Sequence, residues 1–355
     1  IDPRAKFHDG TSITAGDVVF TYNSLKKNGH PRYRINFRDV DRAEATSPGR
    51  VKFTFKPGTH RDLATRLAAL PVLSKAYYDK VDFKKTTFVA PLASGPYRVG
   101  KYEPGRSITY SRVKNYWAKD LPVIRGRYNF DAVTVDYYRD REVMFQAFFS
   151  QQYDFREDFT SRQWATQYDK PPVNAGLVIR EVLPDETPSG VQAFILNLRR
   201  EKFQDVRVRT AIDMAFDFEW TNKTLFYSQY ARTNSMFENS TLAAKKPPTK
   251  DELALLEPFR GELPEEVFTT PFASPQTDGS GKLRSSLRKA SRLLKQAGYR
   301  IEDGVLKDAA GAPLKIEFLL FEASFKRIIG PYINNLKRLG IQAYIRIVDT
   351  ANFKR

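Results

Sequence analysis

Between Leu314 and Val348 the chain spells a strand, a helix and a second strand, and no other stretch limits the fold as tightly. LKIEFLLF (314–321) and IQAYIRIV (341–348) are dense in branched and aromatic residues. Phe325 to Leu339 between them keeps helical spacing, and Gly340 supplies the stop. Two strands joined through a helix pair in parallel, and the connection is right-handed in nearly every known case. An α/β architecture follows. Just upstream, SSLRKASRLLKQAGY predicts another helix, capped by Ser and closed by Gly298.

Other elements read locally. Thr14 with Asp17 three residues on predicts a capping box, followed by Val18, Val19, Tyr22 and Leu25 on one face and a stop at Gly29 and Pro31. VKFTF (51–55) alternates as a half-buried strand, and Leu63, Leu67 and Leu70 mark a helix over Arg61 to Leu70. Tyr97 to Tyr102 and Ser107 to Val113 predict a hairpin. Its turn, Glu103-Pro104-Gly105-Arg106, fits type II, in which Pro presets φ and Gly accepts the positive φ. Tyr116 and Trp117 behind it read as aromatic packing. REVMFQAFFSQQYDF (141–155) predicts a helix leading into a strand at Asp154. VQAFILNL (191–198) predicts a strand buried on both faces. Asp205 caps a helix to about Phe216, with a break at Asp217 and a shorter helix to Phe226. Residues 245–284 read as an irregular surface excursion. The chain is expected to end directly after a strand, with no terminating element.

Composition narrows the chemistry. The net charge is +17, but the 58 basic residues are scattered among 41 acids and form no run of five, so a nucleic-acid arm is not indicated. Cysteine is absent, which removes disulfides, thiolate nucleophiles and cysteine metal sites. The three histidines (His8, His30, His60) form no zinc-binding motif, and no nucleophile elbow occurs. DGSGKL (278–283) lacks the first glycine and the Ser/Thr of a phosphate-binding loop. No run approaches the ~18 apolar residues of a membrane span. No catalytic residue, metal site or cofactor is therefore expected, and binding is the expected activity.

Four stretches in order carry a resemblance. KFHDGTSITAGDVVFTYNSL (6–25), SGPYRVGKYEPGRSITYSRVKNYW (94–117), NLRREKFQDVRVRTAIDMAFD (197–217) and LLKQAGY (293–299) resemble motifs of the extracellular solute-binding proteins of the oligopeptide/dipeptide class, which serve ABC importers. FDFEWTNKTLFYSQYARTNSMFENSTLA and LEPFRGELPEEVFTTPF resemble the branch linked to broad-specificity oligopeptide and microcin C uptake. The resemblance implies a two-lobed periplasmic-binding-protein type II (cluster C) fold, with mixed sheets, flanking helices and a first lobe in two subdomains. Residues 1–93 would be the insert subdomain, 94–196 the main subdomain and 197–355 part of the second lobe.

It also implies a chain truncated at both ends. The front of the family holds an export signal, and the back holds the acid that meets a peptide's amino terminus, for which no position matches here. The implied activity is capture of oligopeptides, or of a sugar or opine on the same scaffold, for a membrane permease. The implied protein is a periplasmic monomer of a Gram-negative bacterium, peripheral to the membrane. Positions carried over as ligand contacts are Glu157, Asp158 and Phe159, Phe194 at a hinge crossing (Phe194 to Asn197), and Tyr227, Arg232 and Asn234. Each also has a structural reading, since surface charge and buried aromatics are the default states of such residues. A carboxylate-dependent hydrolase and a nucleic-acid binder are the rival classes.

Overall fold

A computed structural model describes residues 1–85 and 87–354. The chain divides into two compact units, Ile1–Phe155 and Arg156–Arg355. The first contains α1 (Ala15–Asn28), α2 (Pro31–Asn36), β1 (Val40–Ser47), β2 (Arg50–Phe55), α3 (Leu63–Ala68) and α4 (Lys75–Tyr78). It continues with β3 (Tyr97–Glu103), β4 (Ser107–Arg112), β5 (Ala132–Asp136) and α5 (Arg141–Phe149).

Helix α1 starts as its sequence predicts. The Thr14 hydroxyl accepts the Asp17 N–H at 3.3 Å, and the Asp17 carboxylate accepts the Thr14 N–H at 2.8 Å. The same carboxylate accepts the Lys75 N–H at 2.8 Å, and the buried Thr21 hydroxyl accepts the Leu73 N–H at 2.8 Å. Polar groups on α1 thus tie down the distant start of α4. The apolar side of α1 places Tyr22 and Leu25 among Phe37, Val40, Leu63 and Leu67. Burying each such side chain contributes about 1.5–3 kcal/mol.

Strands β3, β4 and β5 form an antiparallel sheet. The β3–β4 turn closes through Arg106 N–H to the Glu103 carbonyl at 2.9 Å, with Gly105 at φ 73°, the type II geometry expected. Trp117 is half-buried and donates its Nε1–H to the Ser94 carbonyl at 3.2 Å; Tyr116 stacks edge-on to it at 5.8 Å. Both aromatics are packing groups of this unit.

The second unit begins with α6 (Ser161–Thr166) and α7 (Pro171–Asn174), then α8 (Val206–Met214) and α9 (Phe218–Leu225). Two short helices, α10 (Lys250–Leu256) and α11 (Glu266–Thr269), interrupt an otherwise irregular excursion. The order then runs α12 (Arg284–Gln296), β6 (Arg300–Glu302), β7 (Val305–Lys307), β8 (Lys315–Leu320), α13 (Lys326–Arg338), β9 (Gln342–Ile347) and α14 (Thr350–Lys354). β8 and β9 pair in parallel from Lys315↔Gln342 to Leu320↔Ile347, as the strand–helix–strand pattern requires. Along β8 burial alternates. Ile316, Phe318 and Leu320 face the core, whereas Glu317 faces out and meets Arg346 Nη2 of β9 at 2.9 Å. One core joins α8, α12, β8 and α13. Ala211 and Ala290 are fully buried in it, small enough for α8 and α12 to approach closely.

Four expectations are corrected. Residues 191–198 form no strand, and Ile195 is 84% exposed. A strand needs a ladder partner, and among the described residues β8 and β9 pair only with each other. An apolar run predicts contact with a core, which Leu196 and Phe194 make, but not pairing. Residues following Asp154 likewise form no strand. Helix α12 has Leu283 at its N-cap and no side-chain cap; its serines lie inside the helix. The last strand is followed by α14.

Candidate functional site

All seven candidate residues lie in the second unit. Glu157, Asp158 and Phe159 are adjacent, yet the structure gives them opposite roles. Glu157 is exposed and Phe159 is 73% exposed. The Asp158 side chain is 2% exposed and internally bonded. Its Oδ1 accepts the Thr160 N–H at 2.8 Å, its Oδ2 accepts the Tyr168 hydroxyl at 2.9 Å, and Arg156 Nε stands 3.9 Å away. Arg156 Nη2 also donates to Gln163 Oε1 at 3.3 Å from α6. Burial, reinforced by the Asp158 carboxylate, pushes the Tyr168 hydroxyl up to about 12. The Arg180 guanidinium stands over the Trp164 ring, 4.1 Å from its centroid. This polar knot fixes the backbone that presents Glu157 and Phe159.

A second cluster brings Phe194 and Arg232 to the same ring, that of Phe216. Phe194 packs on Phe216, Phe318 and Tyr332 with centroids 5.4–5.9 Å apart. The Arg232 guanidinium stands 5.4 Å from the Phe216 ring and 5.3 Å from Phe218. Its Nη2 donates to Asp213 Oδ1 at 2.8 Å. Its Nη1 is buried and has no hydrogen-bond partner among the described residues. An unpaired guanidinium donor beside an ion pair is costly until an acceptor arrives.

The chain places these groups by local means. Asp217 accepts the Trp220 N–H at 3.1 Å and starts α9, so the break after α8 lies between Phe216 and Phe218, both of which reach Arg232. After α9, Tyr227 and Ser228 both take positive φ, at 56° and 57°. The Asn222 amide then clamps Tyr230 through two bonds, at 2.7 and 3.2 Å. That reversal carries the chain back to Arg232. Asn234 is exposed; its Oδ1 accepts the Ser274 N–H at 2.9 Å. Tyr227 is 38% exposed.

Tyr332, whose hydroxyl donates to the Ile212 carbonyl at 2.8 Å, has its pKa raised, first by burial and then by the Asp213 charge. Sequence reasoning missed Asp213, Phe216, Phe218 and the Arg156–Tyr168 partnership. The Phe-Asp-Phe triplet at 216–218 was a visible signal, whereas partners ten or more residues apart left none. The cluster offers an aromatic floor, a guanidinium that is mostly buried with one donor unpaired among the described residues, and exposed side chains, which suits reversible binding of an oxygen-bearing organic group. Among the described residues, no group of three or more His, Cys, Asp or Glu is placed to hold a metal ion, and no helix is long and apolar enough to cross a membrane.

The model of the bacterial extracellular solute-binding proteins, family 5, middle portion, matches residues 1–355. The chain belongs to this family. This family 5 chain is 40% identical over 353 residues to the uncharacterized protein YejA of Escherichia coli, covering 99% of itself and 58% of that protein. It is 37% identical over 359 residues to the probable peptide-binding protein YejA of Agrobacterium fabrum, covering 98% of itself and 58% of the relative. The chain thus spans less than two thirds of the length of the curated relatives it matches. The oligopeptide-binding protein AppA of Bacillus subtilis, solved with a nonapeptide, superposes with a TM-score of 0.67 at 20% identity, over 99% of this chain and 62% of AppA. That likeness establishes the α/β fold of family 5 solute-binding proteins, as the resemblance implied.

Proposed function

We propose that this protein is the substrate-binding component of an ABC importer that captures oligopeptides and hands them, chemically unaltered, to a membrane permease. The family match along the whole chain carries the reading, and a probable peptide-binding relative at 37% identity favours peptides over other solutes. In this proposal residues 1–93 and 94–196 are the two subdomains of one lobe and 197–355 belong to the other. Hinge closure around Phe194 to Asn197 encloses the ligand. Peptide main chain adds to extended backbone, which gives affinity with little side-chain preference. Glu157 meets peptide amino groups. The part-exposed guanidinium of Arg232 meets a peptide carbonyl or carboxylate above Phe216, with Phe159, Phe194, Tyr227 and Asn234 as further contacts. Asp158 acts from beneath by holding the backbone of Glu157. The protein works as a periplasmic monomer of a Gram-negative bacterium, peripheral to the membrane.

Calorimetric titration of the protein with a mixed set of short peptides tests this. Binding is expected, weakened about tenfold or more in Arg232→Ala and in Glu157→Ala, since a charge-assisted bond contributes about 1.5–3 kcal/mol. Peptides recovered intact by mass spectrometry agree with the proposal. Unchanged affinity in both variants removes these two groups from the site, and cleaved peptides remove the binding-protein reading itself.

A further inference from the structure

Helix α12 carries five basic residues and no acid, RSSLRKASRLLKQ. Two of its arginines, Arg284 and Arg288, lie one turn apart, and Ser291 follows on the same side. Arg338, at the end of α13, joins them around an open pocket of about 380 Å³ whose floor is Leu287, Ile301 and Leu339. Leu287 and Leu339 are buried and belong to the core, whereas Ile301 is exposed.

Three exposed arginines line the pocket, and no acid does. Among the described residues none of the three forms an ion pair, and Arg338 donates only to the neutral Asn335 side chain, at 3.3 Å. The nearby Glu302 is engaged by Arg300 at 3.0 Å and Lys307 at 3.2 Å. The first turn of α12 holds Arg284 and no acid, the reverse of what the helix dipole favours. Like charges gathered this way repel unless an anion sits among them.

We propose that this pocket binds a phosphoryl group. A tetrahedral dianion presents enough oxygens to take guanidinium forks from several sides together with the Ser291 hydroxyl, whereas one carboxylate fills a single fork. The apolar floor accepts the organic substituent. The same chemistry reaches the pocket from a soluble phosphomonoester or from a phospholipid headgroup. The site is separate from the peptide contacts and does not rest on them.

The test titrates the protein with glycerol 3-phosphate by calorimetry at low ionic strength, and floats it with phosphatidylcholine vesicles with and without phosphatidic acid. Arg288→Gln and the double variant Arg284→Gln/Arg338→Gln are compared with Lys245→Gln/Lys246→Gln, exposed lysines outside the pocket. The pocket variants are expected to lose about tenfold or more in affinity, and the lysine variant little. Binding of glycerol 3-phosphate identifies the soluble source; binding only of phosphatidic acid vesicles identifies the lipid. Three results overturn the proposal: neither probe binds, the lysine variant loses as much as the pocket variants, or acetate competes as well as phosphate at equal ionic strength. Arg288→Gln alone, on an exposed helix face, keeps the test valid should the double variant fail to fold.

Discussion

Replacing Asp158 by asparagine keeps the side chain's shape and removes its charge. Arg156, with a side chain only 5% exposed, would then face a neutral amide at the 3.9 Å now separating it from the carboxylate. Removing one partner of a buried ion pair costs about 3–5 kcal/mol. The long separation and the remaining bond to Gln163 place this pair at the lower end, about 3 kcal/mol. Alanine also strands the Tyr168 hydroxyl and the Thr160 N–H, which raises the expected cost to about 5 kcal/mol. For a unit the size of Arg156–Arg355, each kcal/mol lowers Tm by about 2–4 °C, so Asp158→Asn should melt about 6–12 °C early. Scanning calorimetry measures the shift, and peptide titration below the transition measures the affinity, expected to change little. A Tm within a degree or two of the parent, combined with an affinity loss of about tenfold, would refute the reasoning: Asp158 would then be a ligand group and not a brace.

Gly340 holds φ at 79°, and a Cβ there would stand 2.8 Å from the Leu306 backbone nitrogen. Gly340→Ala should therefore cost at least about 2 kcal/mol, against about 1 kcal/mol for Gly105→Ala, where the space is open; urea unfolding compares them, and equal losses would contradict the packing argument. Tyr168 titrates at about 12 in the folded protein against 10.0 for an ordinary tyrosine. A raised folded pKa means that its contribution is complete below pH 10 and lost as pH rises through 12. Tyr168→Phe should flatten the fall in urea midpoint over that window, and an unchanged slope would show that the hydroxyl is not the group responsible.

Much of the fold was legible because its signals are local. The Thr14–Asp17 box, the Pro104–Gly105 turn, the Asp205 cap and the break at Asp217 each depend on neighbours within a few residues, and each formed as expected. The 191–198 run misled for the opposite reason, since pairing depends on a strand elsewhere in the chain. The candidate site was legible as positions and not as roles. Glu157 and Asp158 are both acids in the sequence, yet only the distant Tyr168 hydroxyl and the Arg156 guanidinium decide that the second is occupied.

The order of amino acids determined where helices begin, where turns reverse, that β8 and β9 run parallel, and to which family the chain belongs. Caps, turn geometry and periodic burial are settled by interactions along the backbone itself. Only the tertiary structure decided that Arg232 lies against two phenylalanines with one buried donor unpaired, and that three arginines share one pocket. Those outcomes depend on contacts between residues far apart in the chain, such as Tyr332 with Ile212 or Arg338 beside α12, and a chain's linear pattern does not record which surfaces meet once it is packed.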